Sequence, residues 1–167
     1  MKMHTLNDVL VDELKDLYSA ENQLIKALPK MAKATDSHDL RSAFEHHLEQ
    51  TRRQAQRIEE ICNDLSIKPS GKKCVGMEGI IEEGKEVLQT KSDKDALEAA
   101  LIGAAQKVEH YEIATYGTAR AHAKQLGYMK AADLLEQTLE EEKQTDEKLT
   151  VLAENRVNVQ AAMSKEM

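Results

Sequence analysis

The residues of this chain best placed to do chemistry are acids that stand where core leucines belong. Leu10, Leu14, Leu17, Leu24, Leu28 and Met31 follow one another in the alternating steps of a helical core stripe, and the slot skipped between Leu17 and Leu24 holds Glu21. Leu101, Ala105 and Val108 set the same alternation, which runs on through Glu112 to Thr115, Ala119 and Leu126. A third stripe, Leu135, Leu139, Glu142, Asp146, Leu149 and Ala153, carries two successive acids. Phe44, Leu48, Thr51, Ala55, Ile58 and Cys62 form a fourth, with Glu49 beside the line and able to lean in. One such acid has an ordinary explanation, an edge position that reaches water. Acids near mid-length on four helices at once do not, because an unpaired buried ion costs several kcal/mol. Protons, Arg or Lys side chains, or metal ions must cancel the charge. Carboxylate oxygens suit Mn(II) and Fe(II) as well as Mg(II) and Ca(II), and a pair of ions bridged by carboxylates would neutralise the group.

The elements that must position these acids are helices. The 167 residues are 41% hydrophobic, 32% charged and only 3% aromatic, with few Gly and Pro for turns and many good helix formers. These values predict an all-α protein in a single domain spanning 1–167, large enough to fold without a disulfide or a structural metal. Helices are expected at about residues 5–34, 37–65, 93–126 and 128–155, with Pro29 predicting a kink in the first and Gly127 stopping the third. The first two are joined by a short turn and so form an antiparallel hairpin, as do the last two. A long crossover, 66–92, carries a short amphipathic piece around Met77, Ile80, Ile81, Val87 and Leu88 that Gly76, Gly79 and Gly84 interrupt. The tail 157–167 lacks a clear apolar face and is expected to fray.

Charge and termini narrow the function. A net charge of -7 has the wrong sign for a nucleic-acid-binding domain. Asp8, Asp12 and Glu13 interrupt what a signal peptide would need, and no apolar run reaches membrane-spanning length, so a cytoplasmic protein is expected. Cys62 and Cys74 show no C-x-x-C pattern and read as reduced thiols, Cys62 packing within a helix.

The segments YSAENQL, KCVGMEGIIEEG, AAQKVEHYEIATYGT and LEEEKQTDEKL resemble the YciF-like bacterial stress proteins of the ferritin-like superfamily, and the similarity covers about residues 3–156. The resemblance implies a ferritin-like four-helix bundle, a homodimer, and a site for two iron or manganese ions acting on Fe(II) with O₂, or on H₂O₂. Carried onto this chain, it makes Glu21, Glu49, Glu112 and Glu142 the ligands from the four helices, with Glu109 one turn before Glu112 as a further one. The pattern for such bundles also calls for Glu-x-x-His on two helices. Here Arg52 follows Glu49 and Thr145 follows Glu142, leaving Asp146 as an oxygen replacement. Two orientations of Arg52 are open. Turned inward it would neutralise Glu49 and weaken the site; turned to solvent it would leave an oxygen-rich shell suited to Mn(II) or Fe(II).

Among the histidines, His46 shares the face of Glu49 and is the nitrogen substitute available on the second helix. His47 is expected on the opposite flank, packed or partly exposed. His110 points about 100° away from Glu109, and His122 lies roughly 15 Å along the helix from Glu112. Tyr18 and Tyr116 sit within a turn of Glu21 and Glu112, where a hydroxyl could orient a ligand carboxylate. Two readings of another class stand beside the metal enzyme. One is a dimeric interaction protein with a weakened site, which an inward Arg52 would favour. The other is a proton-linked stress sensor built on buried acids.

Overall fold

Thr5 begins the first helix by a reciprocal cap: its hydroxyl accepts from the Asp8 N–H at 3.1 Å, and the Asp8 carboxylate accepts from the Thr5 N–H at 2.9 Å. Helix α1 then runs Leu6–Ala34 in this computed structural model, which describes residues 3–163, and it continues past Pro29. Ser37 caps α2, His38–Asp64. The link between them is pinned from outside: the buried Glu98 carboxylate accepts from the Thr35 hydroxyl at 3.0 Å and the Ser37 N–H at 2.9 Å.

Helix α4 spans Lys94–Gln125 and ends at Gly127, whose φ of 80° lets the Tyr128 N–H reach back to the Ala123 carbonyl at 2.9 Å. Helix α5, Met129–Leu152, follows directly and lies against α4. The two hairpins meet through α1 against α4 and α2 against α5. The described residues are all helix and connection, so the all-α expectation holds. No helix among them is long and apolar enough to cross a membrane.

Two expectations about the connections are corrected. The crossover piece is one unbroken helix, α3, Val75–Gln89, packed on α4 and α1. Gly76, Gly79 and Gly84 do not interrupt it, because the Cys74 sulfur caps its start and burial of Met77 outweighs the helix cost of glycine. The tail is helical farther than expected, a π-helical turn, Ala153–Val157, leading into α6, Asn158–Met163, though α6 buries no residue, in keeping with its missing apolar face. The extra residue in that turn rotates Val157 inward, to 2% exposure, where a regular helix period offered no apolar face. Residues 164–167 of that expected tail lie outside the described ones.

The core is divided. One apolar cluster gathers Leu24, Leu28, Phe44, Leu101 and Leu149, and another gathers Leu10, Leu14, Leu17, Ile58 and Leu135. Along α1 the two meet between Leu17 and Leu24, where Ala20 joins the first cluster and Glu21 is the buried acid.

Candidate metal centre

The layer between the two apolar clusters is where the acids collect. Glu21 from α1, Glu109 and Glu112 from successive turns of α4, and Glu142 from α5 are all at most 1% exposed. Helix α2 contributes His47, at 3% exposure. One ligand atom from each of His47, Glu109, Glu112 and Glu142 lies within 4.8 Å of the others. The imidazole stands among the acids, with Nδ1 3.2 Å from Glu109 Oε1 and Nε2 3.9 and 3.8 Å from Glu112 Oε2 and Glu142 Oε2.

Very little in the protein satisfies these oxygens. Both of Glu109, both of Glu112, Oε2 of Glu21 and Oε2 of Glu142 lack a hydrogen-bond donor, and so does His47 Nε2 lack a partner. Such atoms are rare in folded proteins because each costs its full desolvation. Burial, then mutual repulsion, pushes the carboxyls of Glu21, Glu109 and Glu112 well above the ordinary glutamate range. Burial raises Glu142 as well, against hydrogen bonds that hold it down. Burial lowers His47 to about 4, so at neutral pH the ring is uncharged and has a lone pair to give.

The oxygens that are satisfied are held by side chains behind the cluster. Tyr116, fully buried on α4, donates its hydroxyl to Glu21 Oε1. Gln54 on α2 donates to Glu142 Oε1 and, at 3.0 Å, to Glu141. Arg57 grips Glu141 with two bonds of 2.7 and 2.8 Å. Glu141 is partly desolvated, yet Arg57 and Gln54 keep its carboxyl below the ordinary range. Gln54 is thereby fixed between an ionised carboxylate and the cluster, which orients Glu142 inward.

Glu21, Glu109, Glu112 and Glu142 therefore come together, and two expected members do not. Glu49 is 59% exposed and pairs with Arg52 on the outer face of α2. The inward line of α2 runs Leu40, Phe44, His47, Thr51, Gln54 and Ile58, and Glu49 lies two residues, about 200°, around the helix from His47. Asp146 sits at the rim, 21% exposed, 3.3 Å from His110 Nε2 and accepting from Gln106 at 3.3 Å. Thr145 takes the inward slot beside it.

His47 is the member that sequence reasoning missed, and its expected place on the opposite flank is corrected. Its signal was the second regular stripe on α2, which passes through 47 and 54 instead of 48 and 55. Arg52 is exposed and pairs with Glu49 away from that stripe, so it does not stand at an imidazole position. His46 is exposed. Of the two tyrosines, Tyr116 orients a site carboxylate, whereas Tyr18 donates to Glu59 at 2.6 Å, away from the cluster.

These features define an all-helical protein with a water-shielded cluster of carboxylates around one imidazole. The chain belongs to the DUF892 family, a domain of unknown function whose profile matches residues 5–162. It is 53% identical over 162 residues to Protein YciF of Escherichia coli (strain K12), covering 96% of this chain and 98% of that one. The crystal structure of the E. coli stress protein YciF superposes with a TM-score of 0.90 at 54% identity, over 93% of this chain and 99% of that chain. YcfI from Rhodopseudomonas palustris superposes at 0.86 with 41% identity, over 89% and 95%. The resemblance read from the four sequence segments is borne out.

Proposed function

We propose that this chain is a ferritin-like four-helix bundle that holds two divalent transition-metal ions, iron or manganese, and serves a stress response by oxidising Fe(II) or removing peroxide. The observation that carries the reading is the set of six carboxylate oxygens buried without a donor around a neutral imidazole. Four carboxylates carry four negative charges when ionised, which two divalent cations cancel. Among the described residues no Lys or Arg lies in the layer to do so; Arg52 pairs outside with Glu49, and Arg57 pairs with Glu141. An inward Arg52 would favour an interaction protein with a weakened site, but Arg52 is exposed and pairs with Glu49 on the outer face of α2.

His47, Glu109, Glu112 and Glu142 would hold the metal, with the free oxygen of Glu21 available as a further ligand. One nitrogen among oxygens suits Fe(II) and Mn(II), whose bound form supplies one-electron chemistry toward O₂ or H₂O₂. The protein's own part is to orient and exclude. Tyr116 and Gln54 hold Glu21 and Glu142 from behind, and the flanking leucine layers keep bulk water out. Likeness to a protein described as a stress protein supports the stress role. A cytoplasmic homodimer completes the proposal, as the resemblance implies.

The test is metal content by mass spectrometry after anaerobic loading with Fe(II) or Mn(II). About two ions per chain are expected, lost in the Glu21→Ala, Glu142→Ala double variant and reduced in His47→Ala. A protein that stays metal-free under these conditions would sink the reading.

A further inference from the structure

An apolar groove lies along α1 beyond the acid layer, where the crossover helix does not fully cover its neighbours. A groove of about 230 Å³ runs between α1, α3 and α4, floored by Leu24, Met31, Ile80, Ile81, Leu88 and Val108. Its rim carries Lys26 and Lys30, one turn apart on α1, and Lys85 on α3. Lys85 pairs with Glu82 at 2.7 Å, and Glu78, the one acid at the rim, pairs with Lys73. Among the described residues Lys26 and Lys30 have no carboxylate partner, in a chain whose net charge is -7. Two exposed ammonium groups without a counter-ion therefore flank an apolar trough in an otherwise acidic protein.

Small-ligand sites are mostly apolar with a few placed polar groups, and drug-sized ones are usually about 300–1,000 Å³. This groove is smaller, and its floor is aliphatic with no aromatic ring to stack on, which suits a short flexible aliphatic chain. We propose that it binds a single-chain aliphatic carboxylate of the fatty-acid type, the tail lying on the apolar floor and the head group held by Lys26 and Lys30. Charge complementarity selects the anion, and the apolar floor selects the tail. The proposal is independent of the metal reading, since it uses none of the cluster residues.

The test is calorimetric titration of the full-length protein with sodium dodecanoate below its micelle concentration, alongside dodecyltrimethylammonium, which has the same tail and the opposite charge. Saturable binding of about one dodecanoate per chain is expected, with no such binding of the cation. In Lys26→Glu, Lys30→Glu, both exposed positions, affinity should fall about tenfold or more. Gly84→Leu should abolish binding, because a Cβ there meets only the Ala104 Cβ at 3.9 Å and a longer side chain extends into the trough. Circular dichroism checks that each variant is folded, and the lysine variant decides the matter if Gly84→Leu is not. Equal binding of the two amphiphiles, indifference to the lysine reversal, or no binding at all would overturn the proposal. The last result would point to a groove covered by a second copy or another protein, and sedimentation would distinguish these.

Discussion

A carboxyl group whose pKa is raised by burial makes the folded state less stable as pH rises, because the unfolded chain ionises freely and the folded one resists. Glu21, Glu109, Glu112 and Glu142 all act in this direction. His47, lowered to about 4, acts oppositely: its contribution is present above its unfolded pKa of about 6.5 and is lost as pH falls toward 4. As pH rises through the raised range of these acids, metal-free protein should therefore lose melting temperature, and saturating Mn(II) should remove much of that slope. Glu112→Gln should stabilise the metal-free protein at alkaline pH by about 1–3 kcal/mol while weakening metal retention, both readable from urea unfolding with and without chelator. Tyr116→Phe should cost about 1–2 kcal/mol by depriving Glu21 of its one donor. Glu21, Glu112 and Glu142 were legible because each filled a vacant slot in a leucine stripe. His47 was not, because Phe44–Thr51–Ile58 admits two interleaved stripes at helical period, and hydrophobicity favours the one through Leu48. Leu48 does pack at the edge of the apolar cluster, but His47 is the deeper of the two.

At the scale of elements, α3 shows why glycine was a poor guide to a helix break. Its three glycines each lower intrinsic helix stability by up to about 1 kcal/mol, yet packing on α1 and α4 holds the helix intact. Their roles differ. A Cβ at Gly76 would stand 2.7 Å from the Tyr111 ring, whose hydroxyl donates to Asp16 at 2.8 Å and lies 2.9 Å from Cys74 Sγ. At Gly79 a Cβ would meet nothing within 4 Å. Gly76→Ala is therefore expected to destabilise by about 1–3 kcal/mol through displacement of that ring, and Gly79→Ala to stabilise by about 0.5–1 kcal/mol. Thermal melts of the two variants side by side make the comparison. The starts of α1 and α2 fall at Thr5 and Ser37, residues of capping type, and the end of α4 at Gly127. The order beyond Asn155 was not, because a π-turn shifts the helical phase and no periodic pattern carries across it.

For the whole molecule, the two hairpins hold unequal shares of the buried charge. Helices α1 and α2 bring one acid and the imidazole, Glu21 and His47, whereas α4 and α5 bring three acids. Each hairpin is built from local contacts across a short turn and can form early, but the layer between Leu17 and Leu24 is closed only when the hairpins dock. Docking is then the step at which four carboxylates must surrender water together. Its rate, and not merely its equilibrium, should depend on what cancels their charge: refolding should slow as pH is raised and quicken when Mn(II) is supplied, with little effect on early helix formation seen by circular dichroism. If the centre holds metal as proposed, a chain assembled in this way would take up ions as it closes, so that the history of its folding is written into whether its centre is filled.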